Sequence, residues 1–146
     1  MIQKALVADA SIVATLAHLL WQGDIQEYTE EFRDLIAAED CAVFIDYEDD
    51  QPIGFAQCQL RHDYVEGTDS SPVGYLEGIF VREEYRRKGH ARALLATCEE
   101  WTISQGCSEF ASDCELDNAD SLLFHLKMGF IEANRIICFT KNLAKE

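Results

Sequence analysis

Apolar residues first recur at helical spacing over residues 9–21, DASIVATLAHLLW, where Ile12, Leu16, Leu19 and Leu20 follow a cap at Asp9 or Ser11. The preceding IQKALV, residues 2–7, reads as a short strand. A second helix is predicted over 26–39, QEYTEEFRDLIAAE, with Tyr28, Phe32, Leu35 and Ile36 on one side and acids on the other. The pattern then becomes strand-like. CAVFIDYED runs into the turn residues Asp49, Asp50, Gln51 and Pro52, and PIGFAQCQLRHDYV returns as the second arm of a hairpin. The polar loop 66-EGTDSSP-72 precedes the strand 73-VGYLEGIFV-81. From Gly89 to Gln105, Ala91, Leu94, Leu95, Cys98 and Trp101 mark the buried side of a long helix that Gly106 ends. A strand at 109-EFASD-113, a helix at 118-NADSLLFHLKM-128, a break at Gly129 and strand material in 130–143 complete a mixed α+β order. No repeat or linker divides the chain, so residues 1–146 are expected to form one domain.

Composition narrows the function class. The chain carries 27 acidic and 12 basic side chains, a formal net charge of -15. Eleven of the acids fall between Asp24 and Asp50, where Arg33 is the only base. That balance repels nucleic acid and anionic membrane and suits a polycationic partner, although it also serves plain solubility. No apolar run reaches the length of a membrane span. The six cysteines contain no CxxC pair and read as buried thiols in a reducing cytoplasm. The four histidines, His18, His62, His90 and His125, suggest no metal set, and none is expected.

Against this acidic background, Arg82, Arg86, Arg87 and Lys88 gather in seven residues, between the strand ending near Val81 and the helix opening near Gly89. An ordinary solvated helix start carries such residues too. A turn entering a helix, however, offers backbone N–H groups that the helix itself leaves unpaired, and these together with the helix dipole suit a phosphate. Gly89 allows close approach, Ala91 keeps that side narrow, and the basic side chains add charge. Neither GxxxxGK[ST] nor GxGxxG is present.

Arg86-Arg87-Lys88-Gly89-His90-Ala91 resembles the pyrophosphate signature [RQ]xxGx[GA] of the GCN5-related N-acetyltransferase superfamily. Asn118 and Gly129-Phe130 resemble its second acetyl-CoA motif. The blocks 61-RHDYVEGTDSSPVGYLEGIFV-81, 110-FASD-113 and 20-LW-21 look more narrowly like the small dimeric aminoglycoside 6'-N-acetyltransferases. The resemblance implies a mixed central sheet whose parallel strands splay apart, flanked by helices. It implies acetyl-CoA as acetyl donor, with its pantetheine arm along Ile79, Phe80 and Val81. The pyrophosphate would lie on Arg87, Lys88, Gly89, His90, Ala91 and Arg92, and Asn118 would bond the cofactor. It further implies a homodimer formed partly through the C-terminal strands.

For the acceptor, the resemblance points to Glu77, Asp113, Trp21 and Tyr64. An aminoglycoside is a sugar polyammonium ion, so carboxylates and aromatic faces suit it. Glu77 in an otherwise apolar strand is the expected proton-routing group, through ordered water, and Asp113 would hold or polarise the ammonium. Backbone N–H groups near Ile79 or Phe80 would stabilise the oxyanion. His125 stands where many superfamily members carry a general-acid tyrosine; an imidazole there either donates a proton or packs beside the donor's sulfur. Asn134 replaces a carboxylate common in related sequences, removing one attraction for an ammonium. The expected activity is direct acetyl transfer to the 6'-amine of an aminoglycoside, giving antibiotic resistance. Transfer to another polyamine or metabolite amine, and an acetyl-CoA-sensing module without turnover, are the alternatives.

Overall fold

The computed structural model describes residues 1–144 as two compact units, 1–113 and 114 onward. In the first, five strands lie in the order β1 (Ile2–Lys4), β2 (Cys41–Glu48), β3 (Gln51–Arg61), β4 (Val73–Val81) and β5 (Phe110–Ala111). The first three pairings are antiparallel and β4 pairs β5 in parallel. Helices α1 (Ala10–Trp21), α2 (Ile25–Ala37) and α3 (His90–Ser104) complete the unit.

Cys41 to Asp46 of β2 are buried without a break, the pattern of a strand covered on both faces. On one face Val13, Leu16 and Ala17 of α1 and Phe32 of α2 meet Val43, Ile45, Phe55 and Phe80. On the other, α3 buries Leu94, Leu95 and Cys98, and Cys98 is hydrogen-bonded to Cys58. Asp24 caps α2 by accepting from the Glu27 N–H at 3.0 Å. The chain leaves α3 at Gly106, whose φ of +87° favours glycine.

Element positions in this unit follow the periodicity, with differences at strand ends and in burial. β1 stops at Lys4, and β3 stops at Arg61 rather than Val65. β5 keeps only two residues of the expected five. Leu19 is exposed, because the buried side of α1 is set by Ala10, Val13, Leu16 and Ala17. Cys114 and Cys138 are exposed rather than buried thiols, while Cys41, Cys58, Cys98 and Cys107 are buried. No helix among the described residues is long and apolar enough to cross a membrane.

The second unit contains α4 (Ala119–Lys127), capped by Asn118, whose side chain accepts from the Ser121 N–H. The strand expected in 130–143 is not formed: residues 130–144 pair with no strand, and Ile131, Ile136, Ile137, Phe139 and Leu143 are exposed. A strand needs a partner edge to satisfy its N–H and C=O groups.

Candidate functional site

β4 organises the candidate site. Its pairing with β5 covers only Gly74 with Phe110 and Tyr75 with Ala111. Beyond these two pairs β5 has ended; Ser112 Oγ still donates to the Leu76 carbonyl, and among the described residues no strand pairs with Glu77 to Val81 on that side, as expected for parallel strands that part. Ile79, Phe80 and Val81 therefore present strand backbone to the opening, where an extended amide-rich chain can add as a further strand.

A bulge sets which residues share a face with Glu77. Gln57 of β3 pairs with Gly78 and the next residue, Cys58, pairs with Leu76, so Glu77 is the extra residue. Gly74 faces Thr102 of α3, and Tyr75 points to the opposite face. Regular alternation would then send Glu77 and Gly78 to opposite faces. The bulge gives both the α1 side: Gly78 faces the Trp21 indole and Phe80 joins the α1–α2 core.

The Glu77 carboxylate is half-buried and held by a two-toothed ion pair. Arg61 Nε lies 2.9 Å from Oε1, and Nη2 lies 3.0 Å from Oε2. The same guanidinium stands over the Tyr75 ring at 3.4 Å from its centroid. The Tyr75 hydroxyl donates to Asp113 Oδ2. Burial first, and then that hydrogen bond to Asp113, push the Tyr75 phenol well above its ordinary range, so it stays a donor. Glu77 and Asp113, 36 positions apart in sequence, thus join one network through Arg61 and Tyr75.

Trp21, at the end of α1, is 43% exposed and packs edge-on to Phe55, with centroids 6.0 Å apart. Tyr28 packs on it as well, with centroids 6.3 Å apart, so the indole is part core and part exposed. Tyr64 is 75% exposed and lines an open hollow with Arg61, His62 and Asp63. The loop that carries it is tied down: Ser70 Oγ and the Asp69 N–H both donate to Glu109 Oε1, and Ser71 Oγ donates to the His62 carbonyl. These bonds draw the Glu109 carboxyl below its usual range, the Ser70 hydroxyl foremost.

At the other end of β4 the basic turn has the expected backbone. Gly89 adopts φ +88°, and among the described residues nothing lies within 4 Å of where a Cβ would stand, which leaves room above the turn. The helix ladder begins with Ala93 N–H donating to the Gly89 carbonyl at 3.0 Å. The N–H groups of His90, Ala91 and Arg92 precede it and have no helical acceptor. Arg87, Lys88 and Arg92 are exposed around them. Two side chains do other work. His90 Nδ1 lies 2.8 Å from Asp46 Oδ2 and its Nε2 3.5 Å from Glu48 Oε2, so the imidazole anchors the turn to β2 and leaves the backbone N–H to the ligand side. Arg86 Nε donates to the Val81 carbonyl at 2.7 Å, which ties the turn to β4. Asp46 is the residue that sequence reasoning missed: an acid inside the apolar run CAVFI-D is a signal, but its partner His90 lies 44 positions away.

In the second unit, Asn118 spends its side-chain oxygen on the α4 cap. His125 Nδ1 lies 2.7 Å from the Ser121 carbonyl, and its ring packs against Phe130. The Asn134 side chain accepts from the Arg135 N–H, and Arg135 pairs with Glu132.

The acetyltransferase (GNAT) family matches residues 13–130. Aminoglycoside N(6')-acetyltransferase type 1 of Stenotrophomonas maltophilia is 41% identical over 139 residues, covering 94% of this chain and 90% of the relative. The enzyme of the same name from Serratia marcescens is 40% identical over 85% of this chain and 86% of its own. Among solved structures, an aminoglycoside antibiotic 6'-N-acetyltransferase from Acinetobacter baumannii superposes with a TM-score of 0.94 at 38% identity, covering 99% of both chains. AAC(6')-Iy, solved with the bisubstrate analogue CoA-S-monomethyl-acetylneamine, superposes with a TM-score of 0.93 at 36% identity over 97% of both.

Proposed function

This chain belongs to the acetyltransferase (GNAT) family and, within it, to the acetyl-CoA-dependent aminoglycoside 6'-N-acetyltransferases, and we propose that its acceptor chemistry runs through Glu77 and Asp113. The reading takes residues 1–146 as one catalytic domain. The observation that carries it is the bulge in β4, which turns Gly78 to the side that Tyr75 and Glu77 already face, so that Glu77 and Trp21 share one face of β4 just beyond the point where β5 ends.

Acetyl-CoA supplies a thioester: the amine would bond to its carbonyl carbon, the C–S bond would break, and coenzyme A would leave as a thiolate that takes up a proton. The backbone of Ile79 to Val81 binds its extended arm, and the N–H groups of His90, Ala91 and Arg92 bind its diphosphate, with Arg87 and Lys88 adding charge. An N–H group near Ile79 or Phe80 donates to the oxyanion. Asp113 holds the 6'-ammonium, while Trp21 and Tyr64 cover sugar faces. Glu77, through a water, receives the amine's proton. Both reactants meet in one site, so no covalent enzyme intermediate is needed. Acetylation replaces an ammonium with a neutral amide, which weakens the antibiotic's electrostatic hold on its target and gives resistance. Asn118 is assigned to the cofactor, Asn134 to acceptor preference and His125 to proton return, each on the family resemblance.

A homodimer and a cytoplasmic setting belong to the same reading. The exposed Ile136, Ile137 and Phe139 beside an unpaired backbone suit burial against a second copy, and six free thiols suit a reducing compartment. Sedimentation that gives only monomer at working concentration refutes the dimer.

The deciding experiment follows thiol release from acetyl-CoA with kanamycin, tobramycin, amikacin, gentamicin components and polyamines, and maps the acetyl position in the product. Acetylation at the 6'-amine is expected. Turnover only on polyamines overturns the aminoglycoside reading. Glu77→Gln is expected to lower kcat by about a hundredfold with the acetyl-CoA KM unchanged. Unchanged kcat across pH removes the base role.

A further inference from the structure

The acceptor is a polycation, yet the carboxylate assigned to its proton is already engaged by a cation of the protein. Arg61 occupies both oxygens of Glu77, with its closest approach 2.8 Å. The guanidinium is fixed on its other side by the Tyr75 ring. This is a built arrangement, unlike a flexible surface pair: a planar fork matched to a carboxylate and stacked on an aromatic face.

Its chemical consequence concerns the attacking amine. Only the neutral amine has a lone pair, and a nearby unpaired carboxylate favours the ammonium. Acceptor sites made of acids alone therefore bind the substrate well and hold it in its unreactive form. Pairing one acid with a fixed cation relieves that conflict. The surrounding charged and titratable groups are Asp40 and Cys41 at the start of β2, His62 after β3, and Tyr75 and Asp113. Asp40 and Asp113 are acidic, and the His62 Nε2 lies 4.0 Å from Asp40. Arg61 is thus the fixed positive charge on this side of Glu77.

We propose that Arg61 is a positioning residue for the amine step, orienting both oxygens of Glu77 and balancing its charge so that the acceptor amine arrives able to lose its proton. Nothing in the family resemblance assigned Arg61 a role. The inference rests on the proposed role of Glu77, and the experiment separates the two.

Arg61→Gln, Arg61→Lys and Glu77→Gln are compared with the wild type in full pH profiles of kcat and kcat/KM, with KM for each substrate and thermal midpoints. For Arg61→Gln, the freed carboxylate is expected to lower the acceptor KM about threefold while kcat near neutral pH falls about tenfold. The rising limb of the pH profile is expected to move up by about one pH unit, with the acetyl-CoA KM unchanged. Arg61→Lys keeps the charge and loses the fork, so its limb stays at the wild-type position while kcat falls. An unmoved limb in Arg61→Gln, or a higher acceptor KM accompanied by a lower thermal midpoint, overturns the proposal and leaves Arg61 a strut. Should Arg61→Gln not fold, wild-type kcat and KM in Arg61→Lys overturn it. Wild-type kcat in Glu77→Gln removes the role of Glu77 and this inference with it. A slow Glu77→Gln with an unmoved Arg61→Gln limb removes only the role of Arg61.

Discussion

Gly78→Ala tests the geometry of the acceptor side without touching a charged group. A Cβ at this position stands 2.5 Å from Trp21 Cζ2 and 2.6 Å from Cη2, where ordinary contact begins at 3.4 Å. The indole must therefore retreat by roughly 1 Å, an overpacking strain worth about 1–2 kcal/mol. Trp21 is 43% exposed, so it has room to swing outward, but doing so loosens its edge-on contact with Phe55. That contact is itself worth about 0.5–1.5 kcal/mol, and the two routes cost a similar amount. For a domain of this size the thermal midpoint should fall by about 4–8 °C. The acceptor KM should rise and the acetyl-CoA KM should not, since Gly89 and the α3 N-terminus lie beyond the far end of β4.

The decisive assay is a double-mutant cycle with Trp21→Ala. If the indole is the obstacle, Gly78→Ala costs less than about 0.5 kcal/mol once it is gone. A full cost in the Trp21→Ala background refutes the contact, and with it the claim that the bulge turns Gly78 toward α1.

Gly89→Ala should act at the other end. With φ at +88° and no neighbour within 4 Å, the penalty is backbone strain alone, about 1 kcal/mol. The acetyl-CoA KM should rise severalfold while the acceptor KM holds, and steady-state kinetics on both substrates checks this. The pin at Glu109 should respond to pH. Its carboxyl is drawn below the ordinary value by Ser70 and Asp69, so the folded form binds protons less readily than the unfolded one. The support it gives is complete above the unfolded carboxyl range and fades as pH falls through the depressed folded value. Hydrogen-exchange protection at the Asp69 amide should fade in that acidic window, and Glu109→Ala, which removes the acceptor, should abolish it at neutral pH.

The helices and the hairpin were legible because each buries one face, and a face leaves its period in the sequence. The basic turn was legible for a similar reason: Gly89 and the N–H groups it frees are neighbours along the chain. What could not be read depends on strangers in sequence. The bulge at Glu77 exists only in the register between β3 and β4. The Arg61–Glu77 pair joins two strands, and the His90–Asp46 pair joins a helix start to a strand. The imidazole's partner could not be read for that reason, since a histidine in a phosphate turn gives no sign of a buried acid behind it, while its backbone N–H keeps its place in the turn. The 130–143 segment has the β-branched and aromatic content of a strand, but content alone supplies no partner edge.

On the proposed reading the two ends of β4 recognise their ligands by different physics, and this decides where substitutions should matter. The donor end offers main-chain groups: strand backbone from Ile79 to Val81 and the first N–H groups of α3. Its turn is held from behind, by His90 on Asp46 and Arg86 on the Val81 carbonyl, so ligand-side side chains contribute mostly charge. Arg87 and Lys88 are exposed, and their attraction for a diphosphate is screened within about 8–10 Å at ordinary ionic strength. Lys88→Ala should accordingly weaken acetyl-CoA binding at low salt and lose its effect as salt is raised. His90→Ala should weaken it at every salt concentration, because it loosens the backbone. The acceptor end offers side chains throughout: Trp21, Arg61, Tyr64, Glu77 and Asp113. Each fixes a direction as well as a charge, so acceptor range is where single substitutions should redirect the enzyme while the donor stays the same. Equal salt dependence for Lys88→Ala and His90→Ala in acetyl-CoA titrations contradicts this division.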